Sequence, residues 1–389
     1  MRRLRRGTLS MDSDQYLGWV ALALTPGLGP RLAGKLLTEF GTPEAVFNAS
    51  LTALEAQRLP AAVAQAIHSR QPMSEAAKEL AQAQAAGCRL LTWDEPDYPA
   101  RLREIYDPPP LLYVRGNIAL LKRHIISIVG TRRPSPYGNQ MAEKLGRDLA
   151  DRGFVIASGM ARGIDACAHK GALSSVCASA SGSTVAVLGC GIDVIYPKEN
   201  KKLFAEIEQR GVLISEFPMG TFPAPQNFPI RNRIIAGMAL GVVVVEAAQY
   251  SGSLITARLA MEFGREVYGV PGNATQPMSF GPHQLIKQGA KMATGWEDVV
   301  EELPTEVRAE LMPVETSSIE ERASLVEASL SPRERQLYDL LNVDRARHVD
   351  ELVELSGLNS SEVLPTLLTL EMKGVIRQLP GKQFLKVLL

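Results

Sequence analysis

The sequence contains few residues of the kinds that build metal centres and disulfide frameworks. Its four cysteines, Cys88, Cys167, Cys177 and Cys190, form no CxxC pair, and its five histidines lie in separate segments without the spacing of metal ligands. These absences argue against a zinc module and fit a reducing, cytoplasmic compartment. Long apolar runs are also missing. The longest, 234–245, has 12 residues, whereas a membrane-spanning helix needs about 20, so we expect no membrane span and no metal site.

Motifs of several common enzyme classes are missing as well. The sequence has no GxxxxGK[ST] run, which excludes a Walker-type ATP site, and no GxSxG nucleophile elbow. His169 follows Asp165 by four residues, so the two share one face of a predicted helix. A hydrogen bond on that helix surface is the simpler interpretation of the pair, and a catalytic dyad is the alternative. We therefore predict no catalytic residues and no cofactor.

The charges are unevenly distributed along the chain. Lysine and arginine together number 42, equal to aspartate and glutamate, so the formal net charge is zero. Residues 115–295 nevertheless carry 20 basic and 12 acidic side chains, whereas residues 296–330 carry 2 and 10. The central block therefore suits a polyanion, and the acidic stretch is typical of a solvated linker. Four arginines in the first ten residues predict a basic tail, unless translation starts at Met11.

The order of segments predicts an α/β protein with four units. These are a helical domain over 12–92, a core with an extended lead-in over 93–298, an acidic linker over 299–330 and a small domain over 331–389. In the first unit Gly27 and Gly29 form a Gly-x-Gly turn before an amphipathic segment, which is typical of a helix-hairpin-helix or SAM-like domain. That turn suits either phosphate binding or a purely structural helical hairpin.

The last unit has the layout of a winged helix, with three predicted helices followed by a β-hairpin over 375–387. Its third predicted helix carries Glu362 and Glu371 beside Lys373, so duplex reading and protein contact both remain open.

The central unit alternates short β-branched strands with helices. The predicted strands run from Ile125–Val129 to Glu266–Val270, and they show little polar alternation. This pattern predicts a Rossmann-like, doubly wound and mostly parallel sheet, whose ligands bind at the carboxyl ends of the strands.

Basic and small polar residues recur in the loops at those strand ends. The candidate DNA-binding residues are Gly130, Thr131, Arg132, Arg133, Arg162, Lys198, Arg231, Arg233, Ser251 and Ser253. Together they predict a basic groove in which side chains and helix N-termini bind phosphates. For Arg231 and Arg233 the alternative is a structural ion pair with Glu216 or Glu246. Phe217, Phe222 and Phe228 suit either base stacking or loop anchoring.

Seven motifs in this order resemble the DNA-processing protein A family (DprA, also called Smf). They are GTR at 130–132, SGMARGID at 158–165, VLG at 187–189, YPK at 196–198, SE at 215–216, PIRNRIIAG at 229–237 and SGSLITA at 251–257. The set spans nearly all of the central unit. Thr131 stands where the family commonly has serine, and the small-residue stretch 174–183 is longer than expected.

The resemblance implies a sequence-independent single-stranded DNA-binding protein that protects incoming DNA and loads the RecA recombinase in natural transformation. The family's principal DNA contacts correspond to Arg132 and Lys198. Family members form homodimers and meet RecA through the end of the central domain, which suggests His283, Leu285 and Ile286 as contacts. Whether the physiological route is transformation or another form of recombination stays open.

A nucleotide phosphoribohydrolase of the lysine-decarboxylase-like type is the rival interpretation. Such enzymes also place a glutamate beside a helix N-terminus in a Rossmann-like fold. Their PGGxGTxxE pattern is missing here, because residues 246–253 read EAAQYSGS. We therefore favour a binding protein over an enzyme.

Overall fold

The computed structural model describes residues 13–176, 184–311 and 330–387. The N-terminal tail and possible start at Met11, most of the stretch 174–183, and residues 312–329 of the predicted acidic linker lie outside the described residues. The described part of that linker, 299–311, is not a solvated linker, because it is largely helical and buries Val299, Leu303 and Val307 in the core. In the described part of the chain, no helix is both long enough and apolar enough to cross a membrane.

The N-terminal unit is helical, as its sequence predicts. Its helices are α1 (Ser13–Leu24), α2 (Pro30–Phe40), α3 (Pro43–Asn48), α4 (Leu51–Ala56), α5 (Ala61–His68) and α6 (Met73–Ala85). Helix α2 starts with Pro30 at its first turn and buries Leu36 and Leu37. Gly27 before it has a φ of +79°, a backbone conformation that favours glycine in a tight turn.

A nine-stranded sheet forms the centre of the molecule. Its strands are β1 (Arg89–Thr92), β2 (Leu111–Gly116), β3 (Ile125–Val129), β4 (Val155–Ser158), β5 (Thr184–Val187), β6 (Val212–Ser215), β7 (Gly241–Val244), β8 (Glu266–Gly269) and β9 (Lys291–Met292). The order is β1-β2-β6-β5-β4-β3-β7-β8-β9. Strands β3 to β9 pair in parallel, and β1 and β2 add an antiparallel edge. The predicted doubly wound sheet is confirmed.

The antiparallel edge agrees with the prediction of a mostly parallel sheet, but it begins earlier in the chain than expected. The lead-in was expected to be extended, and it supplies β2, which pairs with β6 through Tyr113 and Ser215, although it also contains a short helix at Ala100–Arg103. Strand β1 falls within the segment predicted as the helical domain, yet it pairs with β2. The sheet therefore begins before residue 93, because Leu90 and Leu91 gain buried neighbours there.

Helices cover both faces of this sheet. They are α7 (Ala100–Arg103), α8 (Pro136–Asp151), α9 (Ile164–Ser174), α10 (Lys201–Arg210), α11 (Asn227–Met238), α12 (Ser253–Glu262), α13 (Phe280–Lys287), α14 (Trp296–Glu301) and α15 (Thr305–Leu311). Helices α8 and α9 cross very closely, since a Cβ on Gly146 would lie 2.5 Å from Ala168 O and one on Gly171 would lie 2.0 Å from Glu143 O. A cluster of buried apolar side chains joins α1 and α2 to the sheet, and it includes Trp19, Leu36 and Leu213.

The C-terminal unit is a winged helix with its own core. It contains α16 (Pro332–Asp339), β10 (Arg347–His348), α17 (Val349–Ser356), α18 (Ser360–Met372), β11 (Ile376–Leu379) and β12 (Gln383–Lys386). Ser331 caps α16 through a capping box, and Leu337, Leu352 and Leu367 are fully buried in the core. The three predicted helices and the hairpin are confirmed, and β10 is an additional short strand that pairs with β12.

Candidate nucleic-acid interface

Two adjoining cavities lie where the parallel strands end. The larger has a volume of about 620 Å³ and is lined from the β3 loop, from α11 and from the start of α12. The smaller, about 290 Å³, is lined by the loops after β4 and β5. Arg132, Arg133, Tyr196, Phe228 and Arg231 line both cavities. We call the two together the groove. Its position at the reversal of strand order between β3 and β7 is where open α/β sheets bind ligands.

The loop after β3 holds Arg132 at the rim of the groove. Thr131 N donates to Glu246 O over 2.7 Å, and Arg133 N donates to Thr131 Oγ1 over 3.2 Å. Gly130 sits so close to β7 that a Cβ there would lie 2.8 Å from Glu246 O. The exposed Arg132 guanidinium lies 5.2 Å from the centroid of the Phe228 ring. The loop therefore presents an exposed cation beside an aromatic ring.

Arg231 occupies the floor of the groove and is 4% exposed. Its Nη1 donates to Gly159 O over 2.6 Å and to Val187 O. The neighbouring Asp165 carboxylate accepts from Gly159 N at 3.1 Å and Ala161 N at 3.3 Å. Burial lowers the pKa of Arg231 to about 10, so it stays charged at neutral pH. The guanidinium fastens the ends of β4 and β5 to α11 and shapes the floor.

Arg233 is a structural residue of the same helix. It is 5% exposed, forms an ion pair with Glu216, and its Nε lies 3.3 Å from Asp107 Oδ2. The structure thus shows the ion-pair alternative for this residue. Glu246 is not its partner, because that carboxylate accepts from Ser135 N at 2.8 Å and Ser135 Oγ at 2.5 Å.

The loops after β4 and β5 carry Arg162, which lines the smaller cavity, and Lys198, which directly follows the lining residue Pro197. Asn200 joins the loops, since its amide donates to Met160 O over 3.0 Å and Ala161 O over 3.3 Å. Lys198 is exposed, and Arg162 forms an ion pair with Glu199. Two of the predicted phosphate-binding cations therefore share one edge of the groove.

Ser251 and Ser253 stand at the N-terminus of α12, as the sequence predicts. Their hydroxyl oxygens lie 2.8 Å apart, and Asn232 Nδ2 donates to Gly252 O over 3.4 Å. Both serines line the larger cavity opposite Arg132. The N-terminus of this ten-residue helix favours negative charge.

Phe228, one of the predicted candidates for base stacking, forms an aromatic pair with Tyr196, to which the sequence analysis assigned no separate role. The rings of Tyr196 and Phe228 have centroids 5.7 Å apart and are tilted by 30°. Phe222 is 75% exposed, whereas Phe217 is half-buried. The position of Tyr196 two residues before Lys198 is the signal that could have identified it.

The pairing expected for Asp165 and His169 is wrong. Both are buried, and His169 Nδ1 lies 2.7 Å from Thr184 Oγ1, while Asp165 accepts backbone N–H groups. Thr184 uses its own proton on Ile156 O at 2.7 Å, so His169 Nδ1 is the donor to Thr184. Burial lowers the pKa of His169 to about 3. The two side chains form no catalytic dyad. Among the described residues, no group of three or more His, Cys, Asp or Glu is placed to hold a metal ion.

The residues suggested for dimer or RecA contact have different environments. Leu285 is 5% exposed and packs in the core, so it faces away from any partner. His283 and Ile286 are half-buried, and His283 Nε2 accepts from Gly272 N at 3.3 Å. Of the three suggested residues, these two are the ones that are partly accessible.

Two family models match the chain. Residues 89–304 match DNA recombination-mediator protein A, and residues 321–382 match the DprA winged helix domain.

Among curated relatives, Protein Smf of Synechocystis sp. is 32% identical, covering 96% of this chain and 99% of that protein. Protein Smf of Escherichia coli is 41% identical, covering 75% and 76%. DNA processing protein DprA of Bacillus subtilis is 43% identical, covering 58% and 74%.

Two solved structures share the architecture. DNA processing protein A from Streptococcus pneumoniae aligns with a TM-score of 0.65 at 35% identity, covering 76% of this chain and 98% of that chain. DNA processing protein A from Helicobacter pylori, whose structure is described in terms of its single-stranded DNA binding mode, aligns with a TM-score of 0.50 at 30% identity. That alignment covers 56% of this chain and 98% of the H. pylori chain.

Proposed function

The chain belongs to the DNA recombination-mediator protein A family, and from this premise we propose that it binds single-stranded DNA in the groove without sequence preference. One observation carries the proposal. Arg132 lies exposed over Phe228 at the rim of a cavity of about 620 Å³. The exposed Lys198 lies on the adjoining loop. Cations beside aromatic rings neutralise phosphates and stack bases, which is how sequence-independent strands are bound.

Each group in the groove has a separate task in this proposal. Arg132, Arg133 and Lys198 neutralise backbone phosphates, and the start of α12 adds N–H and hydroxyl donors around Ser251. Arg231 holds the floor beneath Phe228, which lies 6.0 Å from its guanidinium carbon. Tyr196 and Phe228 offer ring surfaces to the bases. None of these tasks requires covalent chemistry.

The biological setting is part of the same proposal. We infer that the protein acts in the cytoplasm, protects incoming strands during natural transformation or a related recombination route, and passes them to RecA. We propose that it acts as a homodimer. Two grooves on one strand would then raise avidity without new contacts. His283 and Ile286 on α13 are the proposed contact residues for the second copy or for RecA.

Fluorescence anisotropy with a labelled oligo-dT strand across a salt series tests the proposal. The variant Arg132→Ala plus Lys198→Ala should bind much more weakly, with a log–log salt slope shallower by about 1.4, since each lost phosphate contact contributes about 0.7. Lys78→Ala plus Arg335→Ala removes two exposed cations from α6 and α16 and should bind like the wild type.

No binding by the wild type at low salt would overturn the proposal, as would equal binding by the groove variant. The phosphoribohydrolase alternative is not favoured, because Glu246 is 5% exposed and bound to Ser135. Release of free base from a nucleoside monophosphate by the same preparation would be the result that revives it.

A further inference from the structure

The outer edge of the groove contains a carboxylate among the candidate phosphate-binding cations. Glu199 follows Lys198 in the chain and forms an ion pair with the Nη2 group of Arg162. Both side chains of the pair are 61% exposed. Asn200 fastens this turn to the loop that carries Arg162, so the pairing is built into the junction of two loops.

The pairing sets Arg162 apart from its neighbours. Within the described ranges, neither Arg132 nor Lys198 has a carboxylate within ion-pair distance, and both are exposed. Arg231 and Arg233 are buried and already bound to protein groups. Arg162 is therefore the one cation of the predicted groove that is both accessible to a strand and neutralised by a surface side chain.

A guanidinium binds carboxylate and phosphate through the same planar set of N–H donors. Glu199 thus occupies the position on Arg162 that a backbone phosphate would take. Exposed ion pairs contribute little stability, so a phosphate can displace the carboxylate at small cost.

Resting on the proposed function, we propose that Glu199 is an internal competitor that limits the affinity of the groove for single-stranded DNA. In the free protein it pairs with Arg162, and in the complex a phosphate exchanges with it. The arrangement keeps the strand releasable, which suits a protein that passes DNA to another protein.

The test is anisotropy with oligo-dT on Glu199→Gln, beside Glu206→Gln as the matched control. Glu206 forms a comparable exposed ion pair with Arg210 on α10, and its substitution removes the same charge. Glu199→Gln should bind roughly twofold to fivefold tighter at low salt, because no ion pair has to be broken first. Its salt slope should match that of the wild type, because Arg162 contacts one phosphate in both complexes. Glu206→Gln should bind like the wild type.

A double-substitution cycle locates the effect on Arg162. In an Arg162→Gln background, Glu199→Gln should bring no gain, since the freed cation is gone. A gain that persists in that background would overturn the exchange with Arg162, and so would a gain equal to that of Glu206→Gln. If the wild type binds and the Arg132, Lys198 variant does not, yet Glu199→Gln is unchanged, this inference fails and the proposed function stands.

Discussion

Lowering the pH should destabilise the protein through His169. The ring is fully buried, and its Nδ1–H is committed to Thr184 Oγ1 at 2.7 Å. Its Nε2 has no hydrogen-bond partner in the described part of the chain. Protonation would place a charge and a second N–H in this apolar site, and the Arg231 charge opposes it further. Burial first, and Arg231 second, lower the pKa of His169 from 6.5 to about 3.

The sign and size of the effect follow from proton linkage. The pKa of His169 is lower in the folded than in the unfolded protein. The stabilising contribution of the neutral ring is therefore complete above pH 6.5 and is lost as the pH falls towards 3. Between pH 7.5 and pH 5 the unfolded chain takes up the proton and the folded chain does not. That difference lowers the free energy of unfolding by about 2 kcal/mol.

Urea denaturation at pH 7.5 and pH 5, followed by circular dichroism, measures this loss. His169→Asn keeps a donor for Thr184 and does not titrate, so it should lose about 2 kcal/mol less than the wild type over this interval. His68→Asn, on the exposed face of α5, controls for the removal of one imidazole. Equal losses for the wild type and His169→Asn would refute the assignment of a neutral, buried ring.

The remaining predictions concern the floor of the groove and the helix crossing behind it. Arg231→Met should lower the unfolding free energy by about 3–5 kcal/mol in urea titrations, because Asp165 is left buried without its counter-charge; a fully stable variant would contradict the structural role. Gly171→Ala should cost about 1–3 kcal/mol, since its Cβ meets the carbonyl of Glu143 at 2.0 Å. Gly29→Ala, with open space around its Cβ, should keep the wild-type melting temperature.

Strand and helix positions in the central unit were predictable because burial on both faces leaves a clear pattern. Strand β3, for example, was expected over Ile125–Val129, and the structure has those bounds. Strand β1 was not predictable, because Arg89–Thr92 is short and follows directly on a helical segment. Its pairing with β2 depends on residues that lie about twenty positions further along the chain.

The composition of the groove was predictable from its loops, but the division of labour among its arginines was not. Arg132, Arg231 and Arg233 all sit near strand ends in the sequence, and each could contact phosphate on that basis. Only packing distinguishes them, since Arg231 and Arg233 are 4% and 5% exposed, whereas Arg132 is exposed at the surface. The roles of His169 and Asp165 likewise depend on β5 and on the loop after β4, which lie outside their own helix.

The contrast between buried and exposed arginines explains how a chain with zero net charge can offer a site for a polyanion. The buried arginines are neutralised by Asp165, Glu216 and backbone carbonyls, so they add shape and little field. In the proposed complex, the exposed cations at the rim contact the strand. A buried, charge-compensated floor beneath exposed cations suits backbone recognition, because phosphates repeat along any strand while bases vary. In the proposed complex the exposed rim cations set the affinity, so a single carboxylate at the rim, such as Glu199, can change it.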